Sequence, residues 1–374
     1  MNDFKQITII GVGLIGGSLG LAFKNLSEPP LIVGVARHKE TITRALEVGA
    51  IDKGATSYIE GVKNANIIFI ATPVGSIVDI VRKIYPHLES GTIITDVGST
   101  KANIVHGVEA FLPKYLHFIG GHPMTGSERT GVQAASASLF KNAYYLLTPT
   151  PRTNMNAFQH LHSLLTKIGA LILAIDPDKH DKILATISHL PHILSATLVD
   201  FALKQTTETE NPLLLAAGGF RDMTRIAVSS PEIWSDICLE NDAAILEALE
   251  EFQREIEDFS RFIKKRDRDG LVKKLEEARK TRLGLPSFVY KDLAQLRELS
   301  IPVIDKPGVI SDITVTIGGM GINIENIEIV PSTEYSGILK LVIAGDENSS
   351  KVAEALRAKG YEVSIRSLYN REVR

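Results

Sequence analysis

Ile7-Thr8-Ile9-Ile10-Gly11-Val12-Gly13-Leu14-Ile15-Gly16-Gly17 decides how the chain begins to fold. A short β-branched run ends in G-x-G-x-x-G, a helical pattern follows, and a second apolar run arrives at Leu31–Val35. The hexapeptide alone is a weak signal, but a strand before it, a helix after it and a second strand at this distance predict a βαβ unit that binds a dinucleotide. Gly11 permits the tight turn, Gly13 lets a pyrophosphate approach the backbone, and Gly16 lets helix and strand pack closely. The anion then rests on the amides of Leu14, Ile15 and Gly16, at the positive end of the helix dipole. The uncharged stretch Gln6–Phe23 mimics a signal peptide or a membrane span, yet glycines at 11, 13, 16, 17 and 20 would cost too much inside one continuous helix.

Working outward, Ile67–Ala71, Thr92–Asp96, Phe118–Gly120 and Tyr144–Leu147 read as further strands. Thr41–Val48, Ile77–Tyr85 and Lys101–Ala110 carry apolar residues at spacings of three and four. Strands alternating with helices predict a parallel sheet covered on both faces, an α/β Rossmann-type domain over residues 1–175, with ligands beyond the carboxyl ends of the strands. Thr72 and Pro73 follow one such end. From Asp176 the pattern becomes helical without strands, predicting an all-helical domain over 176–286. It ends in Arg279-Lys280-Thr281-Arg282-Leu283-Gly284-Leu285-Pro286, a helix stop and linker. The long apolar face Ile245–Ile263 suits either a dimer interface or an internal core. Residues 296–374 read as βαββαβ, a small α+β domain with an antiparallel sheet whose second strand is expected at Ile322–Ile329.

Composition narrows the function classes. With 374 residues the chain is long enough for two or three domains, and 44% hydrophobic with 23% charged residues is ordinary for a globular protein. A net charge of −3 removes the long-range attraction that draws proteins to nucleic acid or anionic lipid, so neither is an expected partner and small molecules are. The lone Cys238 cannot pair internally, which points to a reducing compartment and the cytoplasm.

Candidate chemistry gathers near strand ends and in the helical domain. The second strand runs into Ala36-Arg37-His38, where an acid usually holds the ribose of NAD. Arg37 there could receive the 2′-phosphate of NADP or stack over adenine, so NAD and NADP both stay open. In Asp96-Val97-Gly98-Ser99-Thr100-Lys101, Ser99 either faces a ligand or caps the next helix. His122, within Gly120-Gly121-His122-Pro123-Met124-Thr125-Gly126-Ser127-Glu128, sits in a ligand-facing turn and can take a proton at neutral pH. His189 and His192 share one helix face around Pro191, which cannot donate to the carbonyl of Ile187 and predicts a bend. Asp222 and Arg225, three apart, could form a surface pair or serve a site. No metal is expected, since there is no H-E-x-x-H and no cysteine partner.

Five ordered motifs carry a resemblance: Gly11–Gly17, Asp96–Lys101, Gly121–Glu128, Ser188–His192 and Gly218–Arg225 look like prephenate dehydrogenase of tyrosine biosynthesis. The tail, with Asp305-Lys306-Pro307-Gly308-Val309 and Gly321-Ile322-Asn323-Ile324, resembles the ACT domains that sense amino acids. The resemblance implies oxidative decarboxylation of prephenate to 4-hydroxyphenylpyruvate, with hydride passing to NAD or NADP. It implies His122 as proton acceptor, Ser99 beside it, Arg225 on a substrate carboxylate, and His192 and His189 around the dianion. Asp222 would restrain Arg225 or gate the cleft, and Glu128 and Trp234 would lie near the pocket. In the tail it implies tyrosine as effector at Asp305, Gly308, Val309, Asn323 and Ile324, while the apolar face of the helical domain makes a homodimer the expected assembly. Arogenate dehydrogenase is the neighbouring reading, and a non-catalytic amino-acid-sensing protein is the reading from another class.

Overall fold

The computed structural model describes residues 4–126, 129–207, 211–284, 296–304, 306–333 and 336–367. They fall into two compact units, residues 1–287 and 288–374. The first unit opens with β1 (Gln6–Ile10), α1 (Leu14–Lys24), β2 (Leu31–Val35), α2 (Lys39–Glu47), β3 (Lys53–Ala55), α3 (Tyr58–Gly61), β4 (Ile67–Ile70) and α4 (Ile77–Ile84). It continues with β5 (Ile93–Asp96), α5 (Ala102–Glu109), β6 (His117–Pro123), β7 (Tyr144–Thr148), α6 (Met155–Lys167) and β8 (Leu171–Ala174). These strands form one sheet in the order β3-β2-β1-β4-β5-β6-β7-β8. The order reverses between β1 and β4, the place where open α/β sheets leave a crevice.

Both faces of the sheet are covered, which is why its central strands read as unbroken apolar runs. Ile7, Ile9, Ile67 and Phe69 pack with Leu19 and Phe23 on one face. Ile10, Ile68, Ile70 and Ile94 pack with Val81 and Val105 on the other. The sheet departs from the all-parallel reading at β6 and β7, which pair antiparallel with His122 opposite Leu146. Two strands lie outside those expected from the sequence, and only β3 lacks an apolar run. β3 is the three-residue edge strand Lys-Gly-Ala, and β8 pairs with β7 using half-buried and exposed residues.

The helical part comprises α7 (Pro177–Leu184), α8 (Leu190–Lys204), α9 (Gly218–Thr224), α10 (Pro231–Glu240), α11 (Asp242–Lys265) and α12 (Arg268–Gly284). The bend expected at Pro191 takes a specific form: residues Ala185–His189 make one π-helical turn, with the Leu190 amide donating to Ala185 O. Widening the turn before the proline lets α8 begin afresh, with Pro191 in its first turn, where no amide is needed. The face Ile245–Ile263 divides. Ile245 and Ala248 pack with Ala185 and Leu190 in an internal cluster, while Ile256 and Ile263 are exposed.

The second unit contains β9 (Leu296–Ile304), α13 (Val309–Gly319), β10 (Asn326–Thr333), β11 (Ser336–Ala344), α14 (Asp346–Ala358) and β12 (Ser364–Ser367). Its antiparallel sheet runs β10-β11-β9-β12, with Leu299, Ile301, Leu339 and Leu341 buried under both helices. The strand expected from Ile322 begins later, at Asn326. Ile322 and Ile324 do pack on the core, but from the turn leading into β10.

Candidate active site

The loops after β1 and β4 meet at the reversal of strand order. Gly11 has φ +96°, and a side chain there would come within 2.3 Å of Ala71 O and 3.1 Å of Thr72 Cγ2. A Cβ at Gly16 would lie 2.0 Å from Gly11 O, whereas one at Gly13 would meet nothing within 4 Å. The turn is therefore packed hard on its inner side and open where a ligand would approach. No side chain caps α1 and its first turn holds no acid, so the amides of Leu14, Ile15 and Gly16 are presented to that opening. This fits a pyrophosphate. Thr72 and Pro73 border the same crevice, and Arg37 is exposed two residues beyond β2.

Further along the same sheet edge, the ends of strands β5 and β6 are tied together by Asp96. Its buried carboxylate accepts from the Gly98 amide at 2.8 Å and the Gly121 amide at 3.1 Å, and it pairs with the fully buried Lys101 ammonium. Burial lowers the Lys101 pKa against the pull of Asp96. Ser99 is half-buried in the intervening loop, but it does not cap α5. That capping comes from the carboxylate of Asp181 on α7, which accepts from the Lys101 amide at 2.7 Å and the Ala102 amide at 2.8 Å.

His122, at the carboxyl end of β6, is buried and its Nδ1 lies 2.9 Å from His180 Nε2. His180 Nδ1 lies in turn 2.7 Å from Asp181 Oδ1. Asp181's own carbonyl accepts from the Asn241 side-chain amide at 2.9 Å, and the same amide group lies 3.0 Å from His189 Nδ1. The ring of His189 meets Trp234 edge-on, and that of His192 stacks on it at 3.5 Å between centroids. Asn241 donates, so His189 Nδ1 accepts and its Nε2 carries the proton. Among the described residues, His189 Nε2, His192 Nδ1 and Ser195 Oγ are buried polar atoms without a hydrogen-bond partner. Buried polar atoms of this kind suit a polar ligand. α8, which carries His192, packs against both α9 and the short turn Arg225–Val228.

The environment keeps these imidazoles neutral. Burial pushes His122 well below its ordinary 6.5, helped by the positive charges available on His180, Lys101 and His189. Burial likewise lowers His180 and His192 and takes His189 to about 4.

The structure thus gathers His122, His189, His192 and Trp234 along one connected path, with Ser99 in the loop after β5. Asp222 and Arg225 are exposed on α9 and the turn after it. Glu128 and Asp305 lie outside the described residues. In the second unit, Gly308 precedes α13 with φ +94°, Val309 and Ile324 pack on the sheet core, and Asn323 donates to Glu325 at 3.0 Å. The sequence reading missed His180, Asp181 and Asn241. A usable signal existed: Pro177, His180, Asp181 and Leu184 hold the buried stripe of α7, so two polar residues occupy positions an amphipathic helix gives to apolar ones.

Comparison with known proteins agrees with this arrangement. Residues 19–174 match the family model described as "Prephenate dehydrogenase, nucleotide-binding domain" and residues 176–277 match "Prephenate dehydrogenase, dimerization domain". Residues 298–360 match the ACT domain. The chain is 39% identical to the prephenate dehydrogenase of Bacillus subtilis over 366 residues, covering 96% of this chain and 98% of that one. The Aquifex aeolicus prephenate dehydrogenase, solved with hydroxyphenyl propionate and NAD+, is 30% identical with TM-score 0.72, covering 75% of this chain and 98% of that one. Synechocystis arogenate dehydrogenase is 31% identical with TM-score 0.66, covering 74% and 98%.

Neutral buried histidines make the fold sensitive to acid. As pH falls below 6.5, the unfolded chain takes up protons that the folded chain refuses, until each folded-state pKa is reached, about 4 for His189. Each such histidine contributes a slope of up to about 1.4 kcal/mol per pH unit in that window. Urea midpoints should therefore drop between about pH 7 and about pH 5. A midpoint that stays constant across that range contradicts the burial of neutral imidazoles.

Proposed function

The chain belongs to the prephenate dehydrogenase family, and from that membership we propose that it oxidises prephenate at C4 with loss of carbon dioxide. The observation that carries this reading is the buried, neutral His122 at the carboxyl end of β6, on the same sheet edge as the glycine-rich turn. The amides of Leu14, Ile15 and Gly16 with Gly11 and Gly13 would hold the pyrophosphate, Thr72 and Pro73 would border it, and Arg37 would meet the adenosine end. NAD or NADP, when bound, supplies the hydride acceptor.

His122 accepts the C4 hydroxyl proton as the C4–H bond electrons leave. Ser99 orients either that hydroxyl or the imidazole. Loss of the C4 hydride makes a ketone conjugated with the ring, and the C–CO2 bond electrons then flow in to make it aromatic. Arg225 binds a carboxylate. His189 donates from Nε2 to the dianion, and His192 is held for the same purpose by its stack on Trp234. Asp222 and Glu128 are assigned to restraining Arg225 and the pocket rim.

The ACT unit supports feedback inhibition by tyrosine, with Gly308, Val309, Asn323 and Ile324, and Asp305 before them, as the effector loop and turn. The dimerization-domain match and the exposed Phe201, Ile256, Ile263 and Leu275 support a homodimer through the helical part. The cytoplasm suits the single thiol of Cys238.

His122→Asn should bind the dinucleotide normally yet lose about 10²–10⁴ in kcat, the usual worth of a positioned base. Near-parental turnover, followed as reduced nicotinamide absorbance, excludes His122. The acid limb of kcat/KM for the parent should lie below pH 6.5, the sense in which burial moves His122.

Arg225→Ala should raise KM for prephenate by about 10- to 100-fold, the range for one hydrogen bond to a charged group. An unchanged KM removes Arg225 from the site. Running both experiments with prephenate and arogenate, and with NAD and NADP, identifies the substrate and cofactor pair.

Tyrosine should inhibit the full chain and leave a chain ending at Arg282 active and insensitive. Equal inhibition of both excludes the ACT unit as the sensor.

A further inference from the structure

The chain His122–His180–Asp181 bears on a question the reaction raises: which nitrogen of His122 is free to take a proton. An imidazole bearing one proton is a base only at the other nitrogen. Free imidazole side chains in water exchange between both forms, and a base in the wrong form donates where it should accept. The hydrogen-bond polarity along the chain decides the matter. Asp181 uses Oδ1 and Oδ2 to accept from the amides of Lys101 and Ala102, so its carboxylate is fixed as an acceptor by two donors that cannot turn around. His180 Nδ1, 2.7 Å from Oδ1, must then carry the proton, and its Nε2 must accept. His122 Nδ1, 2.9 Å from that Nε2, must donate. The remaining lone pair lies on His122 Nε2.

We propose that His180 and Asp181 are positioning residues for the reaction: through two successive hydrogen bonds they hold His122 as the Nδ1–H tautomer, leaving Nε2 as the proton acceptor. This inference rests on His122 being the base, and it extends that reading to two residues that need not touch substrate. When Nε2 takes the hydroxyl proton, His122 becomes an imidazolium whose Nδ1–H already points at His180. Asp181 lies at the far end of the same chain and stabilises the new charge. No atom beyond the one transferred proton needs to move. Lys101 and His189 face the same imidazole with positive or neutral heads and oppose its protonation, and Asp96 neutralises Lys101. Asp181 is thus the carboxylate in direct line with His122. The anchoring of Asp181 to the start of α5 gives this part of the chain its rigidity, because the two capped amides belong to the loop and helix that follow β5.

The test compares His180→Gln with His180→Phe in the full chain. A glutamine amide oxygen can accept from His122 Nδ1–H while its NH2 donates to Asp181, preserving the polarity; phenylalanine fills the space and can do neither. Nitrogen-15 NMR of histidine-labelled protein, with the His122 signals assigned by their loss in His122→Asn, reads the tautomer directly. The parent and His180→Gln should show a protonated Nδ1 and an unprotonated Nε2 on His122. His180→Phe should lose that preference, with kcat falling by about 10²-fold or more and KM for prephenate changing by less than about 3-fold, since a positioned base is worth that order of rate. His180→Gln should recover most of the kcat lost in His180→Phe.

If His122→Asn loses turnover while His180→Phe keeps kcat and tautomer, the relay is overturned and His122 stands as the base. If His122→Asn is itself as active as the parent, the base assignment falls and the relay with it. Should His180→Phe fail to fold, the parent spectrum still decides: an Nε2–H tautomer on His122 at neutral pH overturns the proposal.

Discussion

One buried carboxylate carries more of this architecture than any other group. Asp181 belongs to the first helix of the helical part, yet its oxygens cap α5 of the nucleotide-binding part and receive His180. An isolated charge at that depth would cost far more than a hydrogen bond returns. Here it is offset by two backbone donors at the positive end of a helix, where a negative charge is stabilised and each donor is already fixed by the helix geometry. The α5–α7 contact is consequently directional. It sets the angle at which the helical part leaves the sheet, and with it the placement of everything that α8 and α10 bring toward the sheet edge.

A second buried ion pair does related work inside the sheet. Asp96 binds Lys101 and the amides of Gly98 and Gly121, so the ends of β5 and β6 cannot slide relative to one another. Gly121 leaves no room for alternatives: a Cβ there would stand 2.6 Å from Asp96 O. Removing either charge alone would strand the other in an apolar setting, which is the costly case for buried pairs. The position of His122 is thus specified twice, by the strand register opposite Leu146 and by the polar tie one residue before it.

How much of this could be read from residues alone depended on whether the signal was local. The β1–α1 turn was legible because its glycines answer to neighbours in sequence and to a fixed geometry of anion binding. The ACT sheet was legible from alternating apolar runs, although Ile322 and Ile324 showed that an apolar pair marks core packing rather than strand backbone. Pro191 announced a disturbance, but whether the helix would kink or widen depended on how α7 and α11 pack around Ala185. β3 was invisible, since an edge strand of Lys-Gly-Ala buries almost nothing. His180, Asp181 and Asn241 were missed for the opposite reason: they have partners 58, 80 and 60 residues away in the chain, and no periodicity records a hydrogen bond of that span.

The electrostatic setting also explains how one site can suit both its resting and its working state. With burial first, and then His180, Lys101 and His189 beside it, holding His122 well below 6.5, the proposed base stays unprotonated and available in the free protein. A weak base of that kind would pull poorly on a hydroxyl proton, since efficiency is greatest when the pKa lies near the working pH. The proposed substrate corrects this on arrival. It is a dianion, and negative charge brought beside an imidazole favours the protonated form and raises its pKa. Hydrogen bonds from His189 and Arg225 would take up part of that charge, so the carboxylates can be bound without their whole field falling on His122. On the proposed roles, the same anion that must be positioned would therefore strengthen the base that acts on it, and would do so only when there is a hydroxyl to deprotonate.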